Sequence, residues 1–198
     1  MNATGITLSE EQAAWFEARP PSSDSAAAVE IAHYHALADR GERFDKIVSV
    51  GMAEHVGRAH LPGYFADIKR LLHPGGLGLV HCITYLEEEP TNPWITKYIF
   101  PGGYIPSLAE VVRGLSRRGF VVWDVENIGP SYATTLDRWS DGFEAHIDEV
   151  AATYGEEFVR MWRLYLAYCA FSFRHEETFV HQVLFSNGKP GSPVVRGS

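Results

Sequence analysis

The run GMAEHVG at 51–57 sets a carboxylate, Glu54, beside an imidazole, His55, directly after the apolar strand pattern FDKIVSV. Open α/β sheets gather their ligands outside the carboxyl ends of the strands, so an acid at this point is placed to act on a bound molecule. A carboxylate in such a position costs free energy unless it is paired or binds something. A plainer role is also open: Glu54 in the first turn of a following helix favours the positive end of that helix dipole. Two further residues carry related chemistry. His81 sits inside an apolar strand pattern, as a base or as a satisfied core histidine. Tyr132 offers a hydroxyl that can serve an anion or a backbone carbonyl. His33 and His35 form an H-x-H pair, but two ligands without a third make no metal site, and none is expected.

The elements that must position these groups are legible from periodicity and punctuation. Residues 3–6 read as the end of a strand, and Ser9 with Gln12 predicts a capping box for a helix through about Ala18. ARPPSSDS at 18–25 breaks the chain. Val29–Tyr34 reads as a short strand and Asp45–Gly51 as a buried one. Residues 58–72 place Leu61, Tyr64, Phe65, Ile68, Leu71 and Leu72 at helical spacing, and HPGG at 73–76 stops that helix. LGLVHCIT at 77–84 is the next strand. The long loop over 85–106 is of a length that usually carries function. Ser107 and Glu110 predict a second capping box, with a helix to about Arg118, and Phe120–Ile128 is a strand. Helical regions follow over 134–152 and 156–173, the second with Phe158, Met161, Tyr165, Cys169 and Phe173 on one face. Thr178–Ser186 closes the series as a strand. Helices alternating with strands predict a doubly wound α/β sheet, mostly parallel, with helices on both faces. One domain is expected over 1–187, with a flexible tail over 188–198.

Bulk properties narrow the function classes. The 198 residues are 45% hydrophobic and 21% charged, and suffice for one globular core. A net charge of −8 gives no overall basic field for nucleic acid, so no nucleic-acid partner is expected. The two cysteines, Cys82 and Cys169, make neither a disulfide framework nor a zinc cage, and fit a reducing, cytoplasmic setting. The first residues lack a signal-peptide pattern, and no run approaches the ~18 apolar residues of a membrane span.

Several segments, taken together, resemble the cyclopropane-fatty-acid and mycolic acid cyclopropane synthases from about residue 4 to residue 186. GITLSEEQ (5–12) is similar to that family's G-[VIL]-T-[IL]-S-x-x-Q, and FDKIVSVGMAEHVG (44–57) to its FDRIVSVGMFEHVG. LLHPGGLGLVHCIT (71–84), PWITKYIFPGGYIPS (93–107), SYATTLDRW (131–139) and MWRLYLAYCAFSFR (161–174) extend the match beyond what generic methyltransferases share. The resemblance implies a Rossmann-like class I methyltransferase sheet. It also implies transfer of a methylene from S-adenosylmethionine to a cis double bond of a phospholipid acyl chain, with bicarbonate as the base. By the same resemblance Glu54, His81, Ile83 (through its backbone) and Tyr132 hold the bicarbonate. Thr7, Leu8, Gln12, His33 and Gly51 fall at cofactor-contacting positions. Trp94, Tyr98, Phe100 and Tyr104 would line the acyl tunnel, and the location would be cytoplasmic and peripheral at the inner membrane face.

The chain also departs from that pattern. The family's first strand and its G-x-G-x-G loop, which grip the cofactor, lie upstream of the segment that here begins at residue 5. His33 stands where an acidic residue is usual, Ala53 replaces a Phe, and Phe171 replaces a small residue. The expected sheet therefore lacks its first strand and glycine-rich loop. Impaired cofactor binding and little or no activity alone are the consequence. A complementary N-terminal fragment or a homodimer would be the remedy. Two alternatives remain at this stage: a catalytically dead remnant that binds lipid or a partner such as an intact paralogue, and an enzyme that methylates the acyl chain without closing a ring.

Overall fold

The computed structural model describes residues 2–19 and 26–190. Most of the predicted breaker loop, and the tail from residue 191, lie outside the described residues. β1 (Asn2–Thr7) pairs in parallel with β2 (Ala26–Ile31) as a small separate sheet. A four-stranded sheet follows in the order β3 (Phe44–Val50), β4 (Leu72–Thr84), β6 (Phe179–Ser186), β5 (Val121–Asn127). β3 and β4 are parallel, whereas β6 runs antiparallel to both β4 and β5. The reading of mostly parallel strands thus holds for β3, β4 and β5 and fails at β6, which is slotted between two strands that point the same way.

The helices divide by sheet face. Strand alternation sends Val80 and Cys82 of β4 and Val183 and Phe185 of β6 to one face. There they pack on α4 (Leu61–Leu71) and α6 (Leu108–Arg117) through Leu61, Tyr64, Phe65, Val111 and Leu115. Val180 and Ile83 face the other way, onto α7 (Gly129–Ala145) and α8 (Ile147–Arg174). Leu37 and Ala38 of α2 (Tyr34–Asp39) join Leu71, Ile6 and Ile47 in a third cluster, which ties the small sheet to the large one.

Several predicted boundaries shift for identifiable reasons. The strand expected at Val29–Tyr34 lies at Ala26–Ile31, because the His33 ring accepts a hydrogen bond from the His35 amide and starts α2. HPGG ends α4 but already belongs to β4. The helices expected over 134–152 and 156–173 run over Gly129–Ala145 and Ile147–Arg174. The second is kinked at Gly155, where φ is 84°. The Ser107–Glu110 capping box closes in both directions. The Ser9–Gln12 box closes in one only: Ser9 caps the Gln12 amide at the start of α1 (Glu10–Glu17), while the Gln12 side chain is held by Thr7.

The largest correction concerns β3. It was expected to be buried, yet Val48 and Val50 are 64% and 62% exposed. β3 has β4 on one side only, and among the described residues nothing covers its second face or pairs with its outer edge. Its other face carries Ile47 and Ser49 toward α4, where the Tyr64 hydroxyl donates to Ser49 Oγ at 2.8 Å.

Gly78 marks the tightest point of the core. A Cβ there would stand 2.2 Å from the Phe185 ring, which is itself edge-on to Phe120 at 4.8 Å. Gly78→Ala is expected to destabilise the fold by about 1–3 kcal/mol through overpacking. In thermal denaturation that corresponds to a midpoint lowered by roughly 2–4 °C per kcal/mol.

Candidate active site

The last β3–β4 hydrogen bond is Gly51 N–H to the His81 carbonyl, at 2.9 Å. Gly51 then takes φ 61°, a left-handed turn that glycine adopts freely, and the chain enters the one-turn helix α3 (Ala53–Val56). This turn swings Glu54 back over the sheet. The Ile83 amide donates to Glu54 Oε1 at 2.6 Å, and the Tyr104 amide donates to the Glu54 carbonyl at 2.8 Å. Glu54 Oε2 is buried without any hydrogen-bond partner among the described residues. Burial raises the Glu54 pKa, opposed in part by the Ile83 amide.

Beside Glu54 stands a second pair. His81, two residues before Ile83 on the same face of β4, lies 2.9 Å from the Tyr132 hydroxyl through Nε2. Gln182, directly across the β4–β6 ladder, donates from its amide nitrogen to His81 Nδ1 at 3.3 Å. Burial lowers the His81 pKa, which favours the neutral ring. With Nδ1 accepting, Nε2–H donates to the Tyr132 oxygen and leaves the Tyr132 proton free for another acceptor. The Tyr132 pKa is raised, first by burial and then by the Glu54 charge, which places the two groups within electrostatic reach. An acceptor and a donor therefore converge on one buried region. This donor set fits a small oxyanion that carries one proton: its hydroxyl would meet Glu54 Oε2, and its charge would meet the Tyr132 proton.

A pocket of about 180 Å³ opens beside Glu54 and is walled by Ile83, Phe100, Tyr104, Tyr165, Cys169 and Phe173, with Gly51 and Glu54 at one side. Phe173 also packs on Tyr132, with ring centroids 5.4 Å apart. Of the predicted tunnel aromatics, Phe100 and Tyr104 are in the wall. Trp94 and Tyr98, at the ends of α5 (Pro93–Tyr98), pack on each other outside it. Cys169 faces the pocket as an inert thiol, its pKa pushed up to about 11 by burial. Ile83 is present as expected, but its amide is committed to Glu54 rather than free for an anion.

The predicted cofactor residues stand at carboxyl ends of strands. Thr7 ends β1 and donates to Gln12 Oε1 at 2.5 Å; Leu8 follows it, 70% exposed; His33 follows β2; Gly51 follows β3. The partner of the H-x-H pair, His35, is held by Asp67 at 2.7 Å and Asp39 at 3.4 Å. Sequence reasoning missed Gln182 and Thr91, whose hydroxyl accepts from the Ile105 amide at 2.8 Å and folds the long loop over the pocket. Strand alternation puts Gln182 on the Val180 face, but only the antiparallel register brings it to His81.

The buried, half-partnered carboxylate has a measurable signature. A carboxyl whose folded-state pKa lies above its ordinary value of 4.5 contributes stability below that value and loses it as pH rises through the raised pKa. Glu54→Gln removes this loss. The variant's melting temperature relative to the parent is therefore expected to climb between roughly pH 4 and pH 8, and parallel curves would refute the assignment.

Comparison with known proteins bears on this geometry. Residues 1–183 match the family described as mycolic acid cyclopropane synthetase. The chain is 39% identical over 189 residues to the cyclopropane-fatty-acyl-phospholipid synthase of Escherichia coli (strain K12), covering 95% of this chain and 48% of that one. It is 38% identical over 156 residues to the tuberculostearic acid methyltransferase UfaA1 of Mycobacterium tuberculosis, covering 75% of this chain and 36% of the relative. The chain thus spans about half the length, or less, of these curated relatives. Among solved structures, mycolic acid cyclopropane synthase CmaA1 complexed with S-adenosylhomocysteine and the detergent CTAB superposes with a TM-score of 0.85 at 32% identity. The match covers 93% of this chain and 70% of that one.

Proposed function

Since the chain belongs to the mycolic acid cyclopropane synthetase family, we propose that it is the catalytic part of a synthase that transfers a methylene from S-adenosylmethionine to a cis double bond of a phospholipid acyl chain, with bicarbonate as base. The observation that carries this reading is the buried Glu54 Oε2, which has no partner and stands beside the Tyr132–His81–Gln182 chain at the wall of an apolar pocket.

S-adenosylmethionine, when bound, supplies the electrophilic methyl group, and bicarbonate supplies the base that takes up a proton from the alkylated chain. The protein's own part is positioning and electrostatics. Glu54 Oε2 would accept a hydrogen bond from a bicarbonate hydroxyl and so orient that anion, while the Ile83 amide fixes the carboxylate through Oε1. Tyr132 donates its free proton to the same anion, and Gln182 holds His81 in the tautomer that leaves that proton available. The aromatic wall excludes water, which would otherwise trap a carbocation, and its negative ring faces favour positive charge developing in the acyl chain. Loss of a positioned base typically costs ~10²–10⁴ in rate. Glu54→Gln and Tyr132→Phe are expected to fall in that range, in assays of labelled methyl transfer to vesicles of unsaturated phospholipid run with a fragment carrying the family's first strand and glycine-rich loop added.

Thr7, Leu8, Gln12, His33 and Gly51 would form the cofactor side of the site. Their support is incomplete, because β1 and β3 each keep an unpaired edge and no glycine-rich loop lies among them. A further parallel strand between those edges, from a complementary N-terminal segment or a second copy, would pair the open edges of β1 and β3 and complete the grip. We therefore expect little activity from this chain alone. Labelled lipid should form once a fragment carrying the family's first strand and glycine-rich loop is added; none in the complemented sample would refute synthase activity. The same assay separates two rival readings. Methyl-branched product without a ring would favour fatty acid methylation, the activity named for the UfaA1 relative. Absence of cofactor binding even after complementation would favour a non-catalytic lipid- or partner-binding role.

A further inference from the structure

A second cavity, of about 580 Å³, is walled by Arg58, Arg113, Arg117 and Arg118, together with Glu110 and the apolar Leu61, Pro62 and Phe65. Its shape follows from helix packing. A Cβ on Gly114 would stand 2.3 Å from the Phe65 ring, so α6 can lie against α4 only because residue 114 is glycine. That close approach presents Arg113 and Arg117, one turn apart on α6, toward Arg58.

Four guanidinium groups in a chain of net charge −8 are a local reversal of sign. Their internal neutralisation is incomplete. Glu88 binds Arg58 at 2.6 Å and Arg113 at 2.8 Å, and Glu110 lies 3.4 Å from Arg58. Glu110 is already held by the Ser107 amide and the Tyr104 hydroxyl. Arg118 donates to the Pro62 carbonyl at 2.8 Å, and Arg117 has no carboxylate partner among the described residues. Two carboxylates against four cations leave the cleft positive. Arginine forks of this kind match phosphate oxygens in pairs.

The neighbours of the cleft narrow the ligand. The Arg58 guanidinium lies over the Tyr104 ring at 5.6 Å, and the same ring walls the apolar pocket. Leu86, 76% exposed, stands two residues from Glu88 on the same loop. Positive charge and an apolar pocket thus meet at the Tyr104 ring, which suits an amphiphile with a phosphate head. We infer that this cleft binds the phosphate of an anionic phospholipid headgroup while an acyl chain of that lipid occupies the pocket behind Tyr104. The inference rests on the lipid reading proposed above.

Co-sedimentation with vesicles of phosphatidylcholine alone, or mixed with phosphatidylglycerol, tests it on the intact chain. Arg113→Gln/Arg117→Gln is expected to weaken binding to the anionic vesicles roughly tenfold or more. Binding of a fluorescent cis-unsaturated fatty acid should remain as in the parent. Arg117→Glu, at a side chain with no ion pair to lose, guards against a folding artefact and should act in the same direction. Equal binding of parent and variants to anionic vesicles would overturn the headgroup site. Full competition by millimolar glycerol phosphate would overturn the lipid assignment in favour of a free phosphate ligand. Failure of the parent to bind the fatty acid would instead defeat the lipid reading itself.

Discussion

A single carboxylate organises the centre of this protein. Glu54 reaches from the turn after β3 to the amide of Ile83 on β4, and its carbonyl receives the amide of Tyr104 from the long loop. Those two bonds tie together a strand end, a neighbouring strand and the segment that roofs the pocket. They also leave Oε2 buried and unpartnered, which costs about 1–3 kcal/mol when nothing binds there. A buried acceptor left unpaired among the described residues has the mark of a binding site, because unmet polar groups persist where function needs them.

The remaining architecture divides into a firm part and an open part. β4 and β6 are sandwiched between α4 with α6 and α7 with α8, so His81 and Gln182 stand on strands packed on both faces, whereas β5 leaves Val121, Trp123 and Val125 exposed. The opposite end is open. β1 and β3 each offer an unpaired edge, and β3 turns two valines to solvent. Unpaired parallel edges with apolar side chains beside them invite another strand.

Local signals proved readable where they were self-contained. The Ser107–Glu110 box, the apolar stripe of α4 and the strand around His81 were legible because spacing alone dictates them. The Ser9–Gln12 box was half right: Gln12 had a competing partner in Thr7, one turn away in space. The start of α2 was misread because its cap is a histidine ring, a rare capping group that no pattern announces. The burial of β3 was misread for a different reason. Apolar alternation states what a strand could bury, and only its neighbours decide whether both faces are covered.

The amino-acid sequence by itself carried the family resemblance, and through that resemblance pointed to Glu54, His81 and Tyr132, because motifs such as GMAEHVG and SYATTLDRW are written along the chain. The tertiary structure alone decided that Ile83 is committed to Glu54, that Gln182 sets the His81 tautomer, and that Arg58 meets the three arginines at the end of α6 in one cleft. The physical reason is common to all three. Each depends on a register or a helix approach distance between segments far apart in the chain, such as the pairing of His81 with Gln182 or the seating of Gly114 on Phe65. Periodicity along one element carries no information about either.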